Sequence, residues 1–287
     1  MWIAIVLKRG WKANFFMRSI RKATLTLSLL MLLWQVYAQR GPEVGGWLGV
    51  ANYFGDLNTQ FDLGQPGPAG GLIYRYNFNE RLAWKFSGNY GLVHADDARS
   101  DNYFEHTRNL MFRSSLLELA GQLEFNFLPY IHGSYDDFFS PYLAAGVQYT
   151  HFRPKALYEG TWYDLQPLGT EGQLPGDEYR LLTFGISTAF GLKFDLSYRW
   201  SMNLELGIRK LFTDYLDDVS TTYPDPLVLA SQRDPLAVIL SDRSTTDPKI
   251  GDPGRQRGDR RTGDNYTFLS VGLVYYFGQV ACPEITR

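Results

Sequence analysis

Four histidines and one run of carboxylates are the residues in this chain with chemistry to offer. His94, His106, His132 and His151 lie far apart and lack the short spacings that zinc ligands share. No Gly-x-Ser-x-Gly elbow, phosphate-binding glycine loop or cysteine pair occurs. His94 and His151 fall at strand ends, where a rim histidine working with a serine would suit lipid A acyl transfer or deacylation. Rim histidines are more often interfacial or loop residues, so no catalytic residue is assigned and the chain reads as a non-enzyme. The run Asp214-Tyr215-Leu216-Asp217-Asp218-Val219-Ser220 clusters carboxylates as Ca²⁺ loops do. It lacks the EF-hand order and reads as solvated turn and cap residues, so no metal or cofactor is assigned. Arg255, Arg257, Arg260 and Arg261 form a basic patch suited to acidic lipid sugars, and Arg257-Gly258-Asp259 matches a cell-adhesion tripeptide too short to carry weight.

The elements that would position these residues are strands. From Tyr179 to Leu196 the apolar residues Leu182, Phe184, Ile186, Phe190, Leu192, Phe194 and Leu196 share one side of a two-residue period. Thr188 is the only break in that row, and the opposite side carries glycine, serine, alanine, lysine and aspartate. Successive strand side chains point to opposite faces, so this is one long strand with one oily face and one small, polar face. Eight such strands are predicted, at about 43–54, 68–78, 81–94, 109–128, 140–153, 179–196, 199–213 and 264–278. Short connections (Asn79-Glu80, Pro129–Phe139, Ser197-Tyr198) alternate with long ones. That is the plan of an all-β, eight-stranded, antiparallel up-and-down transmembrane barrel, with long extracellular loops and both chain ends on the periplasmic side.

The chief rival is a soluble ligand-holding barrel, which shows the same period with oil inside. The polar face here is rich in small residues, including Gly91, Ala120, Ala144, Gly146, Gly185, Ala189 and Gly191. These suit the concave lumen of a narrow barrel and have no comparable use on a wet exterior. Aromatics crowd the strand ends as interfacial girdles would: Tyr53, Phe54, Tyr76, Phe78, Phe127, Tyr130, Phe194, Tyr198, Trp200, Phe212, Tyr215, Tyr275, Tyr276 and Phe277. Lys85, Glu118, Glu124, Lys193, Asp195, Glu205 and Arg209 then point inward and should form an ion-pair network.

Composition agrees. Of the 287 residues, 45% are hydrophobic and 16% aromatic, with 19 Tyr, 19 Phe and 28 Gly, a mixture that favours strands and tight turns. A mean hydropathy of -0.24 is compatible with a barrel, because half of every barrel strand is polar. Residues 1–38 read as a signal peptide: basic residues, the apolar run Ala23–Val36, then Val36-Tyr37-Ala38 as the cleavage site. Met17 is an alternative start that leaves a signal of ordinary length. Residues 39–287 form the barrel domain. Removing six basic and no acidic residues with the leader leaves 22 Lys+Arg against 30 Asp+Glu, a formal charge of -8 that argues against nucleic acid. Cys282 is the only cysteine, so it is either free or bonded to another chain. In the long last loop, Asp225-Pro226 and Asp234-Pro235 each read as a helix cap and first turn.

Some segments resemble a known family. Tyr53-Phe54-Gly55-Asp56-Leu57 looks like the opening of PorG-like outer-membrane barrels of the type IX secretion machinery. Thr213 to Ser220, with Asp214, Tyr215, Leu216, Asp217, Asp218, Val219 and Ser220, is similar to that family's most distinctive segment. Leu240-Ser241-Asp242-Arg243-Ser244, Arg257-Gly258-Asp259 and the ending Tyr276-Phe277-Gly278 through Cys282-Pro283 fit as well. The resemblance implies a non-enzymatic part of a protein-secretion machine in the cell outer membrane of a Gram-negative bacterium. Its partners would be outer-membrane lipid and the periplasmic ring, a lipoprotein and its partner subunit. The contact candidates are Tyr130, Ile131, Tyr135, Phe138 and Phe139 in the 128–140 turn, and Cys282 in the tail. The alternative is an OmpA- or OmpX-like structural or adhesion barrel. Peptide sequencing of the mature protein is expected to start at Gln39; residues retained before it would replace cleavage with an anchor.

Overall fold

The computed structural model describes residues 40–260 and 263–280; the leader, Arg261 and Cys282 lie outside them. Nine strands form: β1 Gly41–Phe54, β2 Gly67–Asn77, β3 Leu82–Asp96, β4 Met111–Asn126, β5 Phe139–Tyr158, β6 Thr161–Asp164, β7 Leu182–Asp195, β8 Trp200–Leu211 and β9 Asn265–Tyr276. All but β6 close into an eight-stranded antiparallel barrel in which each strand pairs with the next and β9 returns to β1. β6 is an arm: it pairs only with the end of β5, through a turn whose Glu159 and Gly160 both take positive φ, the geometry that suits a two-residue hairpin. Strand five is therefore longer than its periodicity suggests. No described helix is long and apolar enough to cross a membrane, which says nothing about strands.

The alternation decides the faces. Leu48, Leu72 and Val147 are 66–77% exposed on the outside, whereas Arg75 and Lys193 are wholly buried inside. Oil is outside and charge is inside, which removes the soluble ligand-holding reading. The small residues do face the lumen: a Cβ on Gly191 would sit 2.4 Å from the Tyr142 ring. The girdle expectation needs correction in part. Tyr53, Tyr130 and Tyr276 turn inward and are buried, because each hydroxyl has a polar partner there, and Phe54 is covered by Phe61. Phe78, Phe127, Tyr198, Trp200, Phe212 and Phe277 remain exposed.

The lumen is layered. Toward the short-turn end it is ionic. Arg75 donates to Glu43 at 2.5 Å and lies 3.1 Å from Glu124, which also takes Lys193; Lys85 meets Glu205. Midway, Arg209 pairs with Glu118 at 3.2 Å and Tyr266 donates to the same carboxylate. Toward the long-loop end the filling turns apolar, with Val93, Phe112, Leu116, Phe152 and Phe268 packed under Leu57, Leu216, Val219 and Leu240 from the loops. That apolar plug departs from a simple polar lumen; it forms because loop side chains reach down to cover it.

Removing one member of a dry ion pair leaves a bare charge. Arg75→Ala is expected to destabilise the folded barrel by about 3–5 kcal/mol in urea unfolding, while Arg153→Ala, in an exposed pair with Asp164, should leave it nearly unchanged.

Candidate functional site

The residues picked out in the sequence meet at the long-loop end. Gly55, Asp56 and Leu57 open the 55–66 loop, and Asp214 to Ser220 open the 212–264 loop. Between them stand a short 3₁₀ turn at Asp97–Arg99 and helix α1, Tyr103–Arg108. Two arginines tie these pieces together. Arg108 forms a two-pronged contact with Asp97 at 2.7 and 2.9 Å and donates to the carbonyls of Asp56 and Arg257, each at 2.7 Å. Arg257 donates to Glu171 at 3.1 Å and to the Asp218 carbonyl at 2.6 Å. Glu171 in turn accepts the backbone N–H groups of Ser220 and Thr221. A planar guanidinium suits this work, since its several donors are fixed in direction.

Asp217 and Asp218 of the acidic run, and Asp56 and Asp264 beside it, have hydrogen-bond donors. Asp217 accepts from the Tyr53 hydroxyl at 2.5 Å and from the Val219 N–H at 2.9 Å. Asp264 lies 3.0 Å from the same hydroxyl and accepts from the Leu216 N–H at 2.9 Å. Asp218, with a positive φ, accepts from Thr170 and from the Tyr179 hydroxyl at 2.7 Å, and Tyr179 stacks on Tyr215 at 4.5 Å. Asp56 receives the Asp259 N–H at 3.0 Å. So Asp217 and Asp218 are buried knot residues, a correction to the solvated-turn reading. Among the described residues no group of three or more His, Cys, Asp or Glu is arranged to hold a metal ion. The basic patch is corrected too: Arg257 is buried, so the adhesion tripeptide does not present its arginine.

Burial and crowding raise the proton affinity of these acids. Burial pushes Asp56 and Asp218 up to about 6 and Asp214 to about 7. Asp217 and Asp264 are both raised well above the carboxylate range, by burial and by neighbouring acids. This arrangement ties the loops together. His94 stands half-buried opposite Arg113 on the outer face, and His151 is exposed opposite Leu117 and Leu182.

The 127–138 turn makes a second cluster at the other end. Tyr130 donates to Asp195, and the Gly133 N–H reaches the same carboxylate at 3.0 Å. His132 sits 3.0 Å from both Glu43 and Asp195 and stacks on Tyr276 at 4.2 Å. Burial pushes the His132 ring down, but its two carboxylate partners outweigh this and hold it above its ordinary value. The turn thus folds back into the barrel mouth. Tyr130 is buried and Ile131 half-buried; Tyr135 (78% exposed) and Phe138 (47%) face outward, while Phe139 lies against Phe194 at 4.9 Å. Tyr130 is therefore withdrawn as a surface contact, because its hydroxyl is held inside by Asp195.

A family model described as a domain of unknown function, DUF6089, matches residues 21–227, taking in both marked segments. The chain belongs to the DUF6089 family. No curated protein sequence matches it. Among solved structures, similar ones are Neisserial surface protein A (10% identity, 83% of this chain and 97% of that one, TM-score 0.41) and the outer membrane protein OprG from Pseudomonas aeruginosa (12%, 84% and 98%, 0.40). The attachment invasion locus protein Ail of Yersinia pestis is a third (10%, 84% and 100%, 0.39).

Sequence reading of this DUF6089 chain missed several partners. Glu43 and Arg75 were hidden because strands one and two alternate poorly, being interrupted by glycines. Arg108 and Glu171 carried no signal, and Tyr53 was marked as a girdle aromatic and motif residue without its acidic partner, since only the folded loops bring them to the acidic run.

The sign of the pH effect follows from these raised acids. The folded cap binds more protons than the unfolded chain between the ordinary carboxylate range and about pH 7, so its stability falls as pH rises through that window. Amide protection of the 212–264 loop, taken relative to the intrinsic exchange rate at each pH, is expected to be lower at pH 8 than at pH 5, and Asp214→Asn should flatten the difference; equal protection at both pH values would contradict it.

Proposed function

We propose that this DUF6089 chain is a non-enzymatic barrel of the cell outer membrane, a PorG-like component of the type IX protein-secretion machinery. In that role it holds the periplasmic ring, a lipoprotein and its partner subunit, at the membrane. The observation that carries the reading is a lumen crowded with side chains, ionic below and apolar above, that leaves only about 10 Å³ of open space beside Lys85, Asn89 and Glu205, with a mouth closed by the 127–138 turn. Such a body has no wide pore to conduct through, which leaves its outer surfaces to do the work. The exposed apolar belt suits acyl chains, and the long loops then lie outside the cell. On this reading the short turns are periplasmic, and Tyr135, Phe138 and Leu128 are the apolar groups offered to a ring subunit. Asp56, Leu57 and the Asp214–Ser220 run serve assembly of the cap, which suits a scaffold more than a catalyst.

The second reading, an OmpA- or OmpX-like structural or adhesion barrel, is favoured by Phe61 (72% exposed) and Tyr103 (83%) at the loop end. Paired Tyr135→Asp and Phe138→Asp changes separate the two. They leave the inward-facing Tyr130 and His132 in place, so the barrel should assemble normally. Loss of co-purification with ring subunits and loss of secretion are expected. Intact secretion with altered surface adhesion in a deletion strain would favour the second reading, and changed lipid A would point to an enzyme.

A further inference from the structure

The 212–264 loop also shapes a cleft that the knot does not use. Two helices frame it, α2 Pro226–Gln232 and α3 Pro235–Ser241, which are the two capped helices that the Asp-Pro pairs announce. Pro224, Leu229, Val238 and Ile239 give apolar walls around a cavity of about 460 Å³. That lies within the range for small-molecule sites.

The polar lining is lopsided. Nearby acids are committed to the backbone: Asp225 and Asp234 cap the two helices, and Asp242 accepts from Ser244 and Gly251 N–H at 2.9 and 2.8 Å. The two cations in the lining, Arg243 and Lys249, have only carbonyl partners among the described residues. Arg243 donates to Leu157 O at 3.1 Å; Lys249 donates to Asp242 O at 3.3 Å and Ser244 O at 3.1 Å. Neither has a carboxylate within 4.0 Å among the described residues, whereas Arg108, Arg233 and Arg257 of the same loop cap each do. Burial lowers the Arg243 guanidinium from its ordinary value, and Asp96 offsets this only from a distance. A half-buried cation without a counter-ion, beside an apolar wall, lacks the compensation that such charges elsewhere in this cap receive.

We infer that this cleft binds a small amphiphilic anion. The apolar body lies against Leu229, Val238 and Ile239, and a single carboxylate or phosphate head sits on Arg243 and Lys249. The guanidinium retains free donors in its plane for two parallel bonds to such a head. A sugar or a neutral peptide would leave the two cations unmatched, and a polar anion alone would leave the walls wet.

The test uses the full mature chain in lipid nanodiscs, with decanoate and decyl phosphate as probes, decanol as the neutral analogue and empty nanodiscs as the blank. Calorimetry is expected to show saturable binding of at least one anion beyond the blank, with decanol at least about 10-fold weaker. Arg243→Gln should weaken the anion by roughly 10- to 100-fold, the range for a charge-assisted contact. Arg243→Lys should retain most of the binding, and Arg255→Gln, on the same loop outside the cleft, should not change it. No saturable binding, equal binding of decanol, or equal effects of Arg243→Gln and Arg255→Gln would overturn the assignment.

Discussion

The charge buried in a closed lumen governs this structure. Arg75, Lys85, Lys193 and Arg209 are removed from water by the same wall that exposes Leu48, Leu72 and Val147 on the other side. A desolvated cation is tolerated only when an anion and further donors or acceptors surround it. Each of the four meets a glutamate, and Tyr142 and Tyr266 donate to two of those glutamates as well. Strand register follows from this. A one-residue slip would send every charge out to the apolar face, so pairing in the lumen and oil on the exterior specify the same alignment.

The two ends of the barrel solve a second problem, that of sealing the lumen. At the short-turn end the 127–138 segment brings in polar groups, Tyr130 and His132, because the lumen beneath is ionic and Glu43 and Asp195 need donors. At the other end the loops bring in Leu57, Leu216, Val219 and Leu240, because the lumen there is apolar. Arginines 108 and 257 then fix those loops through carbonyls that the loop backbone would otherwise leave unpaired. The clustering of Asp56, Asp214, Asp217, Asp218 and Asp264 looks like a cation site in sequence but works as a hydrogen-bonded clasp. Tyrosine, threonine and backbone donors meet the carboxylate oxygens that a metal ion would otherwise need to meet.

Legibility tracked the range of the physics involved. Strands three, four, seven and eight were readable because an apolar exterior and a polar interior impose a two-residue period that each segment shows by itself. The capped helices α2 and α3 were readable because Asp-Pro sets φ and satisfies the first N–H groups locally. Strand one was blurred by Gly45, Gly46 and Gly49, where a Cβ at 45 or 49 would overlap the neighbouring β9 backbone. The β6 arm depends on two consecutive positive-φ residues, one of them Glu159, whose sequence gives little warning.

What the chain determined by itself was the count of long strands, their faces, the alternation of short and long connections and the inward set of charges, since each is a property of local spacing. Which charge meets which, the inward turn of Tyr53, Tyr130 and Tyr276, the burial of Arg257 and the convergence of Gly55-Asp56-Leu57 on the Asp214–Ser220 run were decided only when the barrel closed. Those contacts join residues far apart in sequence. Closure supplies the proximity, and no spacing along the chain encodes it.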